Sequence, residues 1–196
     1  MTWVTQGKTA AEDRGEKRLS ILICSLESRA DKLERLMDVL TPQLTTEVEV
    51  LTHVDKGELS IGKKRNELMD AALGDYVAFV DDDDMVSDDY VEKVLTALDE
   101  DPDCASLTGI IYFANGKSAM FDHSIEHAEW YTGSDGVYYR NPNHLNAIRR
   151  SIASKVTFED INFGEDKKFS DKVRPFLRKE TRIPGEIYYY YPSRGY

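Results

Sequence analysis

The stretch "SIGKKRNELMDAALGDYVAFVDDDD", residues 60–84, decides the fold. Ser60 is a helix-capping residue type, and the spacing predicts a helix running to about Leu73 before Gly74 stops it. The apolar run "DYVAFV" is short and continuous, the pattern of a strand buried on both faces, as in parallel sheets. Four carboxylates, Asp81, Asp82, Asp83 and Asp84, come at its carboxyl end. In open α/β sheets that edge is where ligands bind.

The same pattern extends upstream. "RLSILICSL" predicts a strand over Leu19–Leu26. Ser28 with Asp31 is an N-cap signature for a helix whose stripe is Leu33, Leu36, Met37 and Leu40, with Pro42 ending it. "EVEVLTHVD" alternates as a second strand ending at Asp55, before a turn at Gly57. The order is βαβαβ, which predicts a mostly parallel sheet flanked by helices in one Rossmann-like α/β domain. Ser87 should cap the next helix, with Asp88 and Asp89 in its first turn and Val91, Val94, Leu95 and Leu98 inward. The tail "IPGEIYYYYPSRGY" resembles a final edge strand, from which Tyr188 or Tyr190 would help close a pocket.

At 196 residues the chain suits one domain, expected over residues 18–196, after a loose polar arm of residues 1–17. No apolar run reaches membrane-spanning length and no signal-peptide core opens the sequence, so a cytoplasmic location is the default expectation. The formal net charge of −11 disfavours nucleic acid as a partner. Cys24 and Cys104 form no C-x-x-C pair and are expected to be core thiols.

Carboxylates crowded as at 81–84 need a counter-charge. Two like charges about 4 Å apart repel by roughly 4 kcal/mol at an effective dielectric near 20. Alternation off the strand end would aim Asp81 and Asp83 the same way, and hard oxygen donors suit Mg2+ or Mn2+ completed by substrate phosphates. Arg65 shares an inward helical stripe with Ile61, Leu68 and Ala72, so it needs a buried carboxylate or a phosphate as partner. Lys63 and Lys64 are expected in solvent.

Taken together, "SIGKKRNELMDAALGDYVAFVDDDD" resembles the family 2 glycosyltransferases of GT-A fold, in which an arginine-asparagine pair, a glycine and a strand ending in D-x-D follow in this order. The resemblance runs from about Leu19 to Tyr190 and implies a nucleotide-sugar donor, a UDP-sugar foremost, with Mn2+ or Mg2+. It places Ser25, Glu27 and Asp55 at the base and ribose, Arg65 near the nucleotide, and Asp81 at the ribose or metal. Asp83 becomes the principal metal ligand, supported by Asp82 or Asp84, in a register that the aspartate run leaves open by one residue. Residues 18–100 would form the donor half and residues 101–196 the acceptor half.

Downstream, "NPNHLNAIRRSIASKVTFEDINFGEDKKFSDKV" resembles the acceptor-side segment, whose Gly-Glu-Asp supplies a catalytic base. Here that is Gly164, Glu165 and Asp166, with Asp166 favoured as the base of an inverting transfer and Glu165 next; Glu159 and Asp160 lack the preceding glycine. His144 is a candidate for the diphosphate or metal, or else a structural histidine. His123 and His127 have helical i, i+4 spacing but not the glutamate position of H-E-x-x-H, which disfavours zinc; Trp130 and Tyr131 nearby are candidates for stacking on a sugar or base. The acceptor class stays open among glycan, protein and modified nucleobase. A nucleotidyltransferase is the alternative enzyme, disfavoured because "CSLESRADK" has no glycine-rich phosphate loop. A non-catalytic nucleotide-sugar or divalent-ion binding module is the third reading, against which Glu165 and Asp166 speak.

Overall fold

The computed structural model describes residues 2–5 and 17–192. Three parallel strands form its centre. Strand β2 (Leu19–Leu26) lies between β3 (Val48–Asp55) and β4 (Tyr76–Phe79), with Leu19 opposite both Val48 and Tyr76. The expected helices connect them: α1 (Ala30–Leu40), extended by a 3-10 turn containing Pro42, and α2 (Ile61–Ala71). Strand β1 (Thr2–Thr5) adds to β3 in antiparallel register, so the first residues of the expected loose arm are a sheet edge; residues 6–16 of that arm lie outside the described residues.

After β4 the chain makes a tight turn and a two-residue strand, β5 (Met85–Val86), then helix α3 (Tyr90–Leu98). The second half adds β6 (Cys104–Tyr112), β7 (Ser118–His123), β8 (Tyr131–Thr132), β9 (Tyr138–Arg140) and β10 (Ile148–Arg149). Helices α4 (Arg150–Ala153) and α5 (Glu165–Val173) and the long strand β11 (Glu180–Tyr190) follow. β11 is not a plain edge strand: it runs parallel to β6 while Tyr188 and Tyr189 also pair with β5.

Alternation along the buried strands splits the core into two layers. Leu19, Ile21 and Ile23 face one side with Val50, Ala78 and the apolar stripes of α1 and α3, including Leu36, Leu40, Val91 and Val94. Leu22, Leu51, Val77 and Phe79 face the other, packed on Leu68, Ile152, Phe158 and Phe169. Each fully buried Leu, Ile or Phe contributes about 1.5–3 kcal/mol. Cys24 and Cys104 are buried free thiols, as expected, and desolvation pushes the Cys24 thiol up to about 12.

Three local expectations are corrected. Ser28 caps nothing, because a 3-10 turn over Glu27–Arg29 precedes α1 and no side chain caps that helix. Helix α3 starts at Tyr90, so Asp88 and Asp89 precede it instead of forming its first turn; Ser87 donates to Asp89 Oδ1 at 2.7 Å. His123 ends a strand and His127 sits in the following turn, so they share no helical face.

Candidate active site

Helix α2 begins where Ser60 Oγ accepts the Lys63 amide at 3.1 Å, as expected of a cap. One turn on, Arg65 is 2% exposed, its guanidinium 5.3 Å from the Phe79 ring and 5.6 Å from the Phe158 ring. Its Nη2 meets Asp81 Oδ1 at 3.0 Å and Glu165 Oε1 at 3.6 Å. Nε and Nη1 are buried without a hydrogen-bond partner. The neighbouring Asn66 clamps the segment that leads to α5: Nδ2 donates to the Phe158 carbonyl and Oδ1 accepts its amide, both at 2.9 Å. Gly62 is needed here because a Cβ would stand 1.8 Å from the Glu159 carbonyl oxygen.

Lys64 is not in solvent. It is 4% exposed, and its Nζ donates to Asp55 Oδ1 at 2.8 Å and to the Ser25 carbonyl at 2.9 Å. Burial opposes ionisation of Asp55, but the Lys64 ammonium and the Leu59 amide outweigh it and hold its carboxyl below the usual range. The ends of β2 and β3 are thereby tied together. Glu27 lies outside this knot, exposed, and lines a groove of about 560 Å3 between α1 and β3.

The aspartate run does not alternate as an extended strand would. The Asp84 amide donates to the Asp81 carbonyl at 3.1 Å, closing a turn that sends the four side chains in different directions. Asp81 faces Arg65 and His144, whose Nε2 lies 3.4 Å from its Oδ2. Burial opposes its ionisation, but those neighbours hold the carboxyl well below the ordinary value. Asp82 turns inward to Ser25 Oγ at 2.6 Å, and desolvation raises its carboxyl. Asp83 faces Arg29 Nη2 at 2.6 Å and Lys32 Nζ at 3.8 Å; the same Arg29 nitrogen bonds Asp82 Oδ1.

Asp84 departs most from the expected ligand role. It is fully buried, with Oδ2 accepting from the Tyr188 hydroxyl and Oδ1 from the Tyr191 amide, each at 2.8 Å. Desolvation and the Asp81 charge push its carboxyl well above the ordinary value. Tyr188 also accepts the Asp81 amide at 3.1 Å. Thus Tyr188 anchors the turn from beneath, while Tyr190 lines the cleft.

Gly164, with φ 75°, turns the chain into α5 in the left-handed region that glycine favours. Glu165 is buried toward Arg65, with burial raising its carboxyl against the pull of that cation. Asp166 instead lines a cleft of about 100 Å3 with Asp81, His144, Asn143, Trp130 and Arg140. Arg140 lies 4.2 Å over the Trp130 ring. Tyr131 is elsewhere, 46% exposed and stacked on Tyr139. Glu159 and Asp160 serve the loop: Lys168 and Lys172 bind Glu159 at 2.7 and 3.0 Å, and Ser60 donates to Asp160.

The turn, α2, α5 and the segment between β9 and β10 thus bring Asp81, Arg65, Glu165, Asp166 and His144 together, with Ser25, Asp55 and Asp82 as supports behind them. Sequence reasoning left Arg29 and Arg140 unremarked, gave Asn66 no role of its own and placed Lys64 in solvent. Only Asn66 carried a usable signal, standing beside Arg65 in the quoted motif. Among the described residues no group of three or more His, Cys, Asp or Glu is arranged to hold a metal ion. Nevertheless, hard oxygens already gathering two cations at Asp83 suit an ion whose shell a bound phosphate completes.

Residues 20–163 match the family described as Glycosyl transferase family 2, and the chain belongs to that family. It is 26% identical over 144 residues to a putative glycosyltransferase, EpsH, of Bacillus subtilis strain 168, covering 66% of this chain and 41% of that protein. Crystal structures of S. aureus TarS residues 1–349 superpose with a TM-score of 0.64 in complex with UDP and 0.65 in complex with UDP-GlcNAc. Both are 18% identical, covering 90% and 91% of this chain and 61% and 60% of TarS 1–349. The expected GT-A architecture is therefore the one observed. The chain spans less than two thirds of the length of these relatives. No described helix is long and apolar enough to cross a membrane.

Proposed function

We propose that the protein transfers a sugar from a nucleoside-diphosphate donor, a UDP-sugar foremost, to an acceptor hydroxyl with inversion. The observation carrying this reading is the Asp81–Arg65–Glu165 chain, which links the aspartate turn to the helix bearing Asp166 across one cleft. Membership of the family and likeness to a fold seen with UDP and UDP-GlcNAc support it.

On this reading residues 18–100 bind the donor and residues 101–196 the acceptor. Glu27 and Asp55 border the base and ribose. Asp83 would hold Mn2+ or Mg2+ together with the donor's diphosphate, while Asp81 stays with Arg65 and His144; when bound, the ion supplies positive charge against the leaving phosphate. Asp166 takes the acceptor's proton as the oxygen attacks the anomeric carbon from the face opposite the diphosphate. The new C–O bond forms while the bond to the diphosphate breaks, and the nucleoside diphosphate leaves with the electron pair. Arg65, pinned between two rings, contributes a fixed positive field without reorganising. His144 orients Asp81.

Calorimetric titration with UDP in Mn2+ and in EDTA tests the donor site. Binding that requires Mn2+ and is lost in Asp83→Ala is the expected result; absence of nucleoside-diphosphate binding in Mn2+ would sink the reading.

A further inference from the structure

Arg29 and Arg65 both meet the aspartate turn, but their settings differ. Arg65 is enclosed by Phe79 and Phe158 and has no room to leave. Arg29 ends the 3-10 turn Glu27–Arg29 at the sheet edge, its side chain 31% exposed, and its Nη2 bridges Asp82 and Asp83. Its Nε is buried without a partner, so the carboxylates satisfy only part of the guanidinium. Lys32 stands behind it, closer to solvent.

Resting on the glycosyl-transfer reading, we propose that Arg29 occupies the ion's place in the donor-free protein and moves onto the donor's diphosphate when the ion arrives. A dication on Asp83 Oδ2 would lie against the guanidinium now bonded to that oxygen, and the two cations repel. Among the described residues too few further donors lie nearby to overcome this alone. A diphosphate changes the balance twice: its oxygens complete the ion's shell, and its charge gives the displaced guanidinium a planar, bidentate partner. Ion and nucleotide then bind together, and neither binds well by itself.

The experiment titrates Mn2+ into nucleotide-free protein, followed by electron paramagnetic resonance, for wild type, Arg29→Gln, Arg29→Lys and Arg29→Gln/Asp83→Asn. UDP is then titrated at saturating Mn2+. Removing a charge-assisted bond should tighten Mn2+ alone about tenfold in Arg29→Gln and weaken UDP by a similar factor. Arg29→Lys should fall between, and adding Asp83→Asn should abolish the gained Mn2+ binding. Thermal melts establish that each variant is folded. Equal Mn2+ affinity in wild type and Arg29→Gln, with UDP still binding wild type, would overturn the displacement while leaving the donor site intact. Failure of wild type to bind UDP at all would remove both.

Discussion

Arg65 Nη2 lies 3.0 Å from Asp81 Oδ1, joining the middle of one helix to the end of the strand that follows it. The pair sits against aromatic rings, where an unpaired charge is costly. Arg65→Met should lower stability by about 3–5 kcal/mol, the usual result of removing one partner from a buried ion pair. Chemical denaturation measures this. A loss below about 1 kcal/mol would mean that solvent already satisfies Asp81.

Asp166→Asn should leave UDP affinity within about twofold while slowing transfer by 10²–10⁴, because only the proton-accepting group is lost. Calorimetry beside a transfer assay separates the two effects. Glu165→Gln should instead disturb Arg65 and weaken the nucleotide site, since Glu165 faces that arginine and not the cleft.

Much of this arrangement follows from readable patterns. Continuous apolar runs and helical stripes placed β2, β3, β4, α1 and α2 within a few residues, because burial on both faces of a parallel sheet leaves an unambiguous signature. Arg65 was legible as a buried cation for the same reason. Lys64 was not: it flanks the apolar stripe of α2, and its partner Asp55 ends a strand, β3. Nor could alternation foresee the turn at Asp81–Asp84, since the Tyr188 hydroxyl and Tyr191 amide that anchor Asp84 lie over a hundred positions away.

Asp84 gives a pH signature. Its folded-state value is raised, so the proton it keeps favours the folded protein fully below the unfolded value near 4, and this contribution is lost as pH rises through the folded value. Asp81, held low, acts oppositely and only as pH falls below about 4. Relative to wild type, Asp84→Asn should therefore gain stability between about pH 4 and pH 7. Urea midpoints across that range decide it; a constant difference would mean that Asp84 titrates normally.

Gly62→Ala pushes a methyl group into the Glu159 carbonyl, a backbone atom that cannot yield without moving the segment before α5. Overpacking of this kind costs about 1–3 kcal/mol. The expected kinetic pattern is a fall in kcat with UDP affinity retained, because the displaced segment leads into α5, which carries Asp166, and not into the aspartate turn. A variant as stable and active as wild type would show that the loop adapts freely.

The anchoring of Asp81 and Asp84 by Tyr188 and Tyr191, 107 positions further along in two of these bonds, also sets an order for assembly on the ribosome. A nascent chain that has emerged only as far as α4 already holds every aspartate of the turn, yet lacks the hydroxyl and amide that seat it. Such non-local pairing is slow to form. The aspartate turn is therefore seated only after β11 has docked beside β6, which makes the last described strand the one that completes this sheet edge.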